Sequence, residues 1–356
     1  MSGEKRPGEF GSSQLVKRQR SDADLNGGAL TRVNGAGSDA LVHGTPGAPL
    51  SAPIMQLTGH TAEVSAARFS PTSTTLASAG LDRNILLWHT SGHCENYALL
   101  TGHKSAVLDL RWSRDAQTLF SASADGTVAS WDAGASGARI RRHEGHTEVV
   151  NSVDVARRGE EFIVSGSDDG FIGIWDPRAK AAMDFLEVEE QFPVTAVCVG
   201  EAGSELYSGG IDNVIRVWDL RMRKVAHVLE GHADTVTSLA LSPDSQSLLS
   251  FSHDGTARTW DVRPFAPEER LVRTFDGAQA GLEKNMIRAC WDPEGKRVAA
   301  GGGDGTVTVW EAGSGKLVTK LPGHKGAVND VAISAEGGMV VSASSDRTML
   351  LGEMPR

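Results

Sequence analysis

The stretch "SGSDDGFIGIWD", residues 165–176, sets Asp169 six residues ahead of Trp175 and Ser165 four ahead of Asp169. The acid-to-tryptophan spacing returns at Asp82 and Trp88, Asp125 and Trp131, Asp212 and Trp218, Asp254 and Trp260, and Asp304 and Trp310. Asp346 is a seventh acid in the series, with Gly352 where its tryptophan would stand. Successive tryptophans lie 43, 44, 43, 42 and 50 residues apart. A fixed period of this length marks a repeat architecture and decides how the rest is read.

Each unit opens on Gly-His, at 59–60, 102–103, 145–146, 231–232 and 323–324. Apolar and β-branched residues then alternate at period two, as in "EVSAARFS", "TTLASAG" and "NILLW" of the first unit. That period, broken by Asp, Gly and Asn, predicts short antiparallel strands. "SADGTV" and "GGDGTV" place Asp-Gly between strand patterns, a strong hairpin signal. Four short strands per unit of this length predict the blade of an all-β propeller.

The spacing has a chemical reading. His precedes the first strand, Ser lies on the second, Asp sits in the next turn and Trp lies on the third. Asp can then accept from His, His from the Ser hydroxyl, and Ser from the indole N–H. A buried polar chain is tolerable when every member has a partner, and it then specifies one core. The complete sets are His60, Ser78, Asp82 and Trp88; His103, Ser121, Asp125 and Trp131; His146, Ser165, Asp169 and Trp175; and His232, Ser250, Asp254 and Trp260.

Three units depart from the pattern. The fourth keeps Ser208, Asp212 and Trp218 but has "VEEQFP" in place of Gly-His. The sixth has Ala300 for Ser and "DGAQAGLEKN" for Gly-His, and the seventh lacks only the Trp. Such loops, released from a structural constraint, are free for another use. The chain ends on what should be the third strand of unit seven, while "APIMQL", residues 52–57, has no partner of its own. It is expected to supply the missing outer strand and to cover an edge. The expected fold is thus a seven-bladed propeller over 52–356, closed by an N-terminal strand.

Apolar residues make up 40% of the 356, with no run long enough to span a membrane. The N-terminus lacks the apolar core of a signal peptide, which argues against secretion. Cys94, Cys198 and Cys290 are far apart and suit a reducing compartment. Residues 1–50 carry six Lys/Arg against five Asp/Glu, so a net charge of −10 leaves −11 on the remainder. A body so acidic is a poor general binder of phosphate backbones. The first 50 residues, rich in Gly, Ser, Ala and Asp, are expected to form a disordered tail. Lys5 and Arg6, then Lys17, Arg18 and Arg20, have the spacing of a bipartite nuclear-import signal.

No catalytic, metal or cofactor site is expected. Five histidines are absorbed by the Gly-His series. "HTSGHC" (His89, His93, Cys94) falls on a strand end and turn without a fourth ligand. "GSGK" at 313–316 lacks the leading Gly and trailing Ser or Thr of a phosphate loop and lies between strands.

The Gly-His to Trp-Asp repeat resembles that of the WD-repeat family over residues 52–356. The family implies a propeller and an interaction platform, and says little more about function. Several segments resemble its spliceosomal members, those of the U5 small nuclear ribonucleoprotein: "VKRQR", "APIM", "LASAGLDRNILLW", "GGIDNVIRVWDLR", "WDVRPFAPEER" and "SASSDRTMLLGEM". That resemblance implies a nuclear, non-enzymatic scaffold in pre-mRNA splicing, associated with the largest U5 protein. It implies indirect or minor RNA contact, and neither a membrane nor a small-molecule substrate. "WDPR", "WDLR" and "WDVR" carry Arg178, Arg221 and Arg263 two residues after Trp-Asp. Such motifs also resemble those of cullin-4 ubiquitin-ligase substrate receptors, where the Arg meets an adaptor.

Trp-Asp should end the third strand at the face opposite the Gly-His turns. The connection "RPFAPEER", 263–270, is therefore expected to project from that face. Pro264 and Pro267 stiffen it, Phe265 is an aromatic anchor without a core role, and Arg and aromatic side chains often dominate binding energy. With Arg178 and Arg221 these residues are the expected partner-binding set.

Overall fold

The computed structural model describes residues 50–354, Leu282 excepted. The import-type cluster at Lys5, Arg6, Lys17, Arg18 and Arg20, and the tail around it, lie outside the described residues. Twenty-eight strands, β1 (Ile54–Thr58) to β28 (Thr348–Glu353), sort into seven four-stranded antiparallel sheets. Blade one runs β2 (Val64–Phe69), β3 (Thr75–Gly80), β4 (Ile85–His89) and β5 (Asn96–Leu100), and five successive quartets repeat it. Blade seven combines β26 (Val328–Ile333), β27 (Met339–Ser344) and β28 with β1. Ile54 stands opposite Gly352 and Thr58 opposite Thr348, so the two ends of the chain close the ring.

Burial falls from the axis outward. All six residues of β10 (Val150–Val155), an innermost strand, are buried, whereas β13 (Ala182–Glu187), the outer strand of that blade, buries only Leu186. The apolar core lies between blades. Ala66 and Leu87 of blade one pack with Leu110 and Trp131 of blade two in one such layer.

Register shifts open six inner strands, and five of them serve a common purpose. They bracket Ser65, Leu108, Asn151, Thr195, Thr237 and Asn329. A bulge re-aims the side chain it carries. Asn151 Nδ2 donates to Val194 O (3.1 Å), Thr237 Oγ1 to Ile287 O (2.7 Å) and Asn329 Nδ2 to Val64 O (2.8 Å). Ser65 and Thr195 reach Val107 O and Val236 O in the same way. Adjacent blades are therefore stitched around the axis.

The repeated set assembles within each blade. His146 Nδ1 lies 2.8 Å from Asp169 Oδ2 and Nε2 lies 2.7 Å from Ser165 Oγ, which accepts from Trp175 Nε1 at 2.8 Å. The sets of His60, His103 and His232 repeat these contacts. Asp169 also accepts from the amides of Thr147 and Phe171, which ties the incoming loop to the hairpin turn. Burial pushes its carboxyl up, but His146 and these amides outweigh burial and hold it below the usual range.

The departures have their own solutions. In blade four Arg216 pairs with Asp212 at 2.5 Å, the position His takes elsewhere, and Trp218 still donates to Ser208. In blade six Trp310 donates instead to Asp276 O (2.8 Å), which is why Ala300 suffices. The longer loop of that blade is held in place rather than released. Lys284 pairs with Asp234 at 2.8 Å, and the Asn285 carbonyl lies 3.1 Å from His253 Nε2.

Asp169→Ala is expected to cost roughly 1–3 kcal/mol by orphaning His146. Asp304→Ala should cost less, because Asp304 has no Gly-His histidine in its blade and meets Thr306 and, at 3.6 Å, Lys320. Urea midpoints in the reverse order would refute this reading of the set.

The HTSGHC turn also finds a structural use. Ser51 donates to Gly92 O (2.7 Å) and sits 3.3 Å from His93 Nδ1, so the turn seats the entering chain. His89 stacks on Tyr97 with centroids 4.4 Å apart, and Cys94 is buried.

Immediately after the long loop, Arg288 enters the axial channel. Its guanidinium donates to Ser65 O (3.0 Å), Leu108 O (2.9 Å) and Asn151 O (3.3 Å), carbonyls of blades one, two and three.

Candidate functional site

Strand β12 (Phe171–Trp175), β16 (Ile215–Asp219) and β20 (Ala257–Asp261) reach the face opposite the Gly-His turns in blades three, four and five. Each is followed by one of the three expected arginines. A short turn after each strand is organised by its aspartate. Asp176 accepts from the Arg178 amide (2.8 Å), Asp219 from the Arg221 amide (2.8 Å) and Asp261 from the Arg263 amide (3.0 Å).

Two of the guanidinium groups fold back on those same acids. Arg178 Nε lies 3.0 Å from Asp176 Oδ1, and Arg263 Nη2 lies 2.5 Å from Asp261 Oδ2. The Arg263 hydrogen bond holds the Asp261 carboxyl below the usual range, and Arg178 does the same to Asp176. Exposed pairs of this kind are screened by solvent, so they shape the turn more than they stabilise the fold.

The 263–270 connection is braced from within. Ala266 N donates to Arg263 O (3.2 Å), closing a turn with Pro264 at its second position, where proline's fixed φ is favoured. Arg270 Nη1 reaches the carbonyls of both Asp261 and Arg263 (3.2 Å each), locking the base. Phe265 stands at the apex with its whole side chain in solvent (100% exposed). Burial would normally offset the hydration cost of such a ring, and no core position here does so. Val217, His227, Leu229, Val262 and Pro264 line a small cleft between blades four and five beside this turn.

Arg263, Pro264, Phe265 and Pro267 thus share one braced projection. Arg221 lies on the same face one blade away and Arg178 one blade further. The alternation pattern did not mark the exposed apolar residues of the outer strands, among them Met183, Val225, Val228 and Val272. Among the described residues no group of three or more His, Cys, Asp or Glu side chains is placed to hold a metal ion.

The model of the WD domain, G-beta repeat family matches residues 51–89, 94–132, 137–176, 186–219, 223–261, 269–311 and 315–351. The chain belongs to the WD-repeat family. This WD-repeat chain is 45% identical over 349 residues to the human U5 small nuclear ribonucleoprotein 40 kDa protein, covering 95% of each. It is 43% identical to the pre-mRNA-splicing factor cwf17 of Schizosaccharomyces pombe, over 96% of this chain and 100% of that one. The U5 40 kDa protein of Dictyostelium discoideum is 41% identical over 91% of both chains. The WD-repeat chain stands in one family with these proteins along nearly its whole length. None of the three carries a name that speaks for the cullin-4 reading.

Proposed function

We propose that this chain is a non-enzymatic scaffold of the U5 small nuclear ribonucleoprotein in pre-mRNA splicing. The observation that carries the reading is its similarity to the U5 40 kDa proteins across 95% of both chains, repeats and connections included. Its site of action is the nucleus, with Lys17, Arg18 and Arg20 contributing to import. Its principal partner is the largest U5 protein. RNA contact is indirect or minor, because a net charge of −11 beyond residue 50 opposes phosphate backbones.

Docking is assigned to the face that bears the 263–270 turn. A rigid loop loses little conformational entropy on binding, and an exposed aromatic at its apex is suited to fill a partner's pocket. The double variant Phe265→Ala with Arg263→Ala should stay folded, since Phe265 touches no core. Losing one such anchor costs about 2 kcal/mol or more, enough to reduce recovery of U5 proteins in a pull-down by about tenfold or more. Full retention of those proteins by a natively stable double variant would place the interface elsewhere.

A further inference from the structure

The outer strand of blade four departs from the burial pattern of the other blades. Residues 221–228, "RMRKVAHV", are exposed without interruption. They span the end of a turn and most of β17 (Lys224–Leu229), whose sole sheet neighbour is β16. By contrast, β5 holds only buried and half-buried residues, and β25 (Leu317–Pro322) ends in proline. In blade two the end of β9 (Arg139–Glu144) is bridged to the next blade, Glu144 N donating to Lys180 O.

Residues 221–228 combine three cations (Arg221, Arg223, Lys224) with exposed Met222, Val225 and Val228, and contain no acid and no proline; Arg223 already pairs with Asp184 of blade three at 2.9 Å, which leaves Arg221 and Lys224 to meet a newcomer. This is a basic, apolar edge on a body that carries −11. An open strand edge is a template for pairing, and proteins usually guard it. The guard here is selective. Arg221 and Lys224 repel an identical edge, because like charges facing each other across strands are destabilising, and the same cations attract an acidic one. The cleft lined by His227, Leu229, Val217, Val262 and Pro264 opens beside the strand and offers apolar seats.

We propose that β17 is a strand-addition site that takes an extended acidic segment of a protein partner, alternating acidic and apolar residues, as a fifth strand of blade four. Main-chain hydrogen bonds along the edge supply affinity, while the cations and the cleft select side chains. A nucleic-acid strand fits less well, because residues 221–228 hold no Phe, Tyr or Trp and offer a single imidazole, His227, on which bases could stack. The site borders the 263–270 turn, whose Pro264 lines the cleft, and the inference does not depend on which particle the protein serves.

The test is fluorescence anisotropy with a labelled peptide of about ten residues alternating glutamate and valine. The controls are the lysine–valine peptide, a glutamate–valine peptide interrupted by a central proline, and oligouridine RNA. The alternating acidic peptide should bind, and the basic and proline-interrupted peptides should not. Reversing the strip (R221E, R223E and K224E together) should weaken binding by at least about tenfold, as loss of close charge complementarity does. The Phe265→Ala variant, which loses a ring that does not line the cleft, should bind it like the native chain, which separates this site from the docking turn. Amide hydrogen exchange of the unsubstituted protein, with and without peptide, reads the edge directly, and residues 224–228 should become protected. Equal binding of the basic or interrupted peptide, binding of oligouridine in place of peptide, or exchange unchanged along β17 would each overturn the proposal.

Discussion

Replacing Arg288 with methionine is expected to destabilise the fold by about 3–5 kcal/mol, the cost of breaking a buried charge network from one side. Asp109, Asp154 and Asp330 on the inner strands stand against Arg68 and Arg111, also on inner strands, and Arg288, just ahead of blade six's inner strand Ala289–Trp291, three acids to three bases. Asp109 is fully buried, with Arg68, Arg111 and Arg288 nitrogens at 3.8, 3.7 and 3.7 Å. Arg111 also pairs with Asp154 at 3.1 Å, and Arg68 pairs with Asp330. Burial pushes the Asp109 carboxyl up, but the three arginines outweigh it, with Arg288 the largest, and hold it below the usual range. The same burial lowers the Arg288 pKa, yet a guanidinium starts so high that it stays charged.

Methionine at 288 would leave one acid unbalanced and remove the donor from three carbonyls in three different blades. The double variant Arg288→Met with Asp109→Asn restores two acids to two bases. It should therefore lose less than the sum of the single changes, a coupling that a double-mutant cycle in urea measures. Strict additivity, or an Arg288→Met variant as stable as the native chain, would show that the channel charges do not act as one network.

Removing residues 1–58 is expected to abolish soluble, folded protein, whereas removing residues 1–45 should leave the melting temperature unchanged. The longer deletion takes all of β1. Leu57 leaves a core shared with Met349 and Leu351 of β28, and burial of one such side chain contributes about 1.5–3 kcal/mol. The five residue pairs from Ile54–Gly352 to Thr58–Thr348 go with it. Blade seven would then present β28 as a bare edge, the situation that promotes edge-to-edge aggregation. The shorter deletion spares Leu50, which bridges to Gly92, and Ser51, whose amide and hydroxyl bind Gly92 O. Equal melting temperatures for the two truncations would mean that the ring closes without this strand.

Much of the turn proposed for docking was legible in the sequence. Two prolines and a phenylalanine in a connection too long for a simple hairpin marked 263–270, and the structure puts Phe265 at its apex. The return of Arg178 and Arg263 to their own aspartates was not legible, because sequence spacing does not specify a rotamer. The open edge at 221–228 escaped for a related reason. Its residues alternate too weakly to mark a buried face, and exposure depends on what the neighbouring blades leave uncovered.

The repeat itself was readable because its chemistry is local. Each His, Ser, Asp and Trp belongs to one blade, within about thirty residues of chain, so spacing alone identifies the set, the blade count and the missing outer strand. Arg216 tests the limit of that logic. It lies only four residues from Asp212, yet its standing in for histidine became visible only once the vacant position had a shape. Arg288 lies beyond that limit. The carbonyls it bridges are 223, 180 and 137 residues away along the chain. No periodicity relates it to them, because they converge only when seven blades close into a ring and their innermost strands meet at the axis.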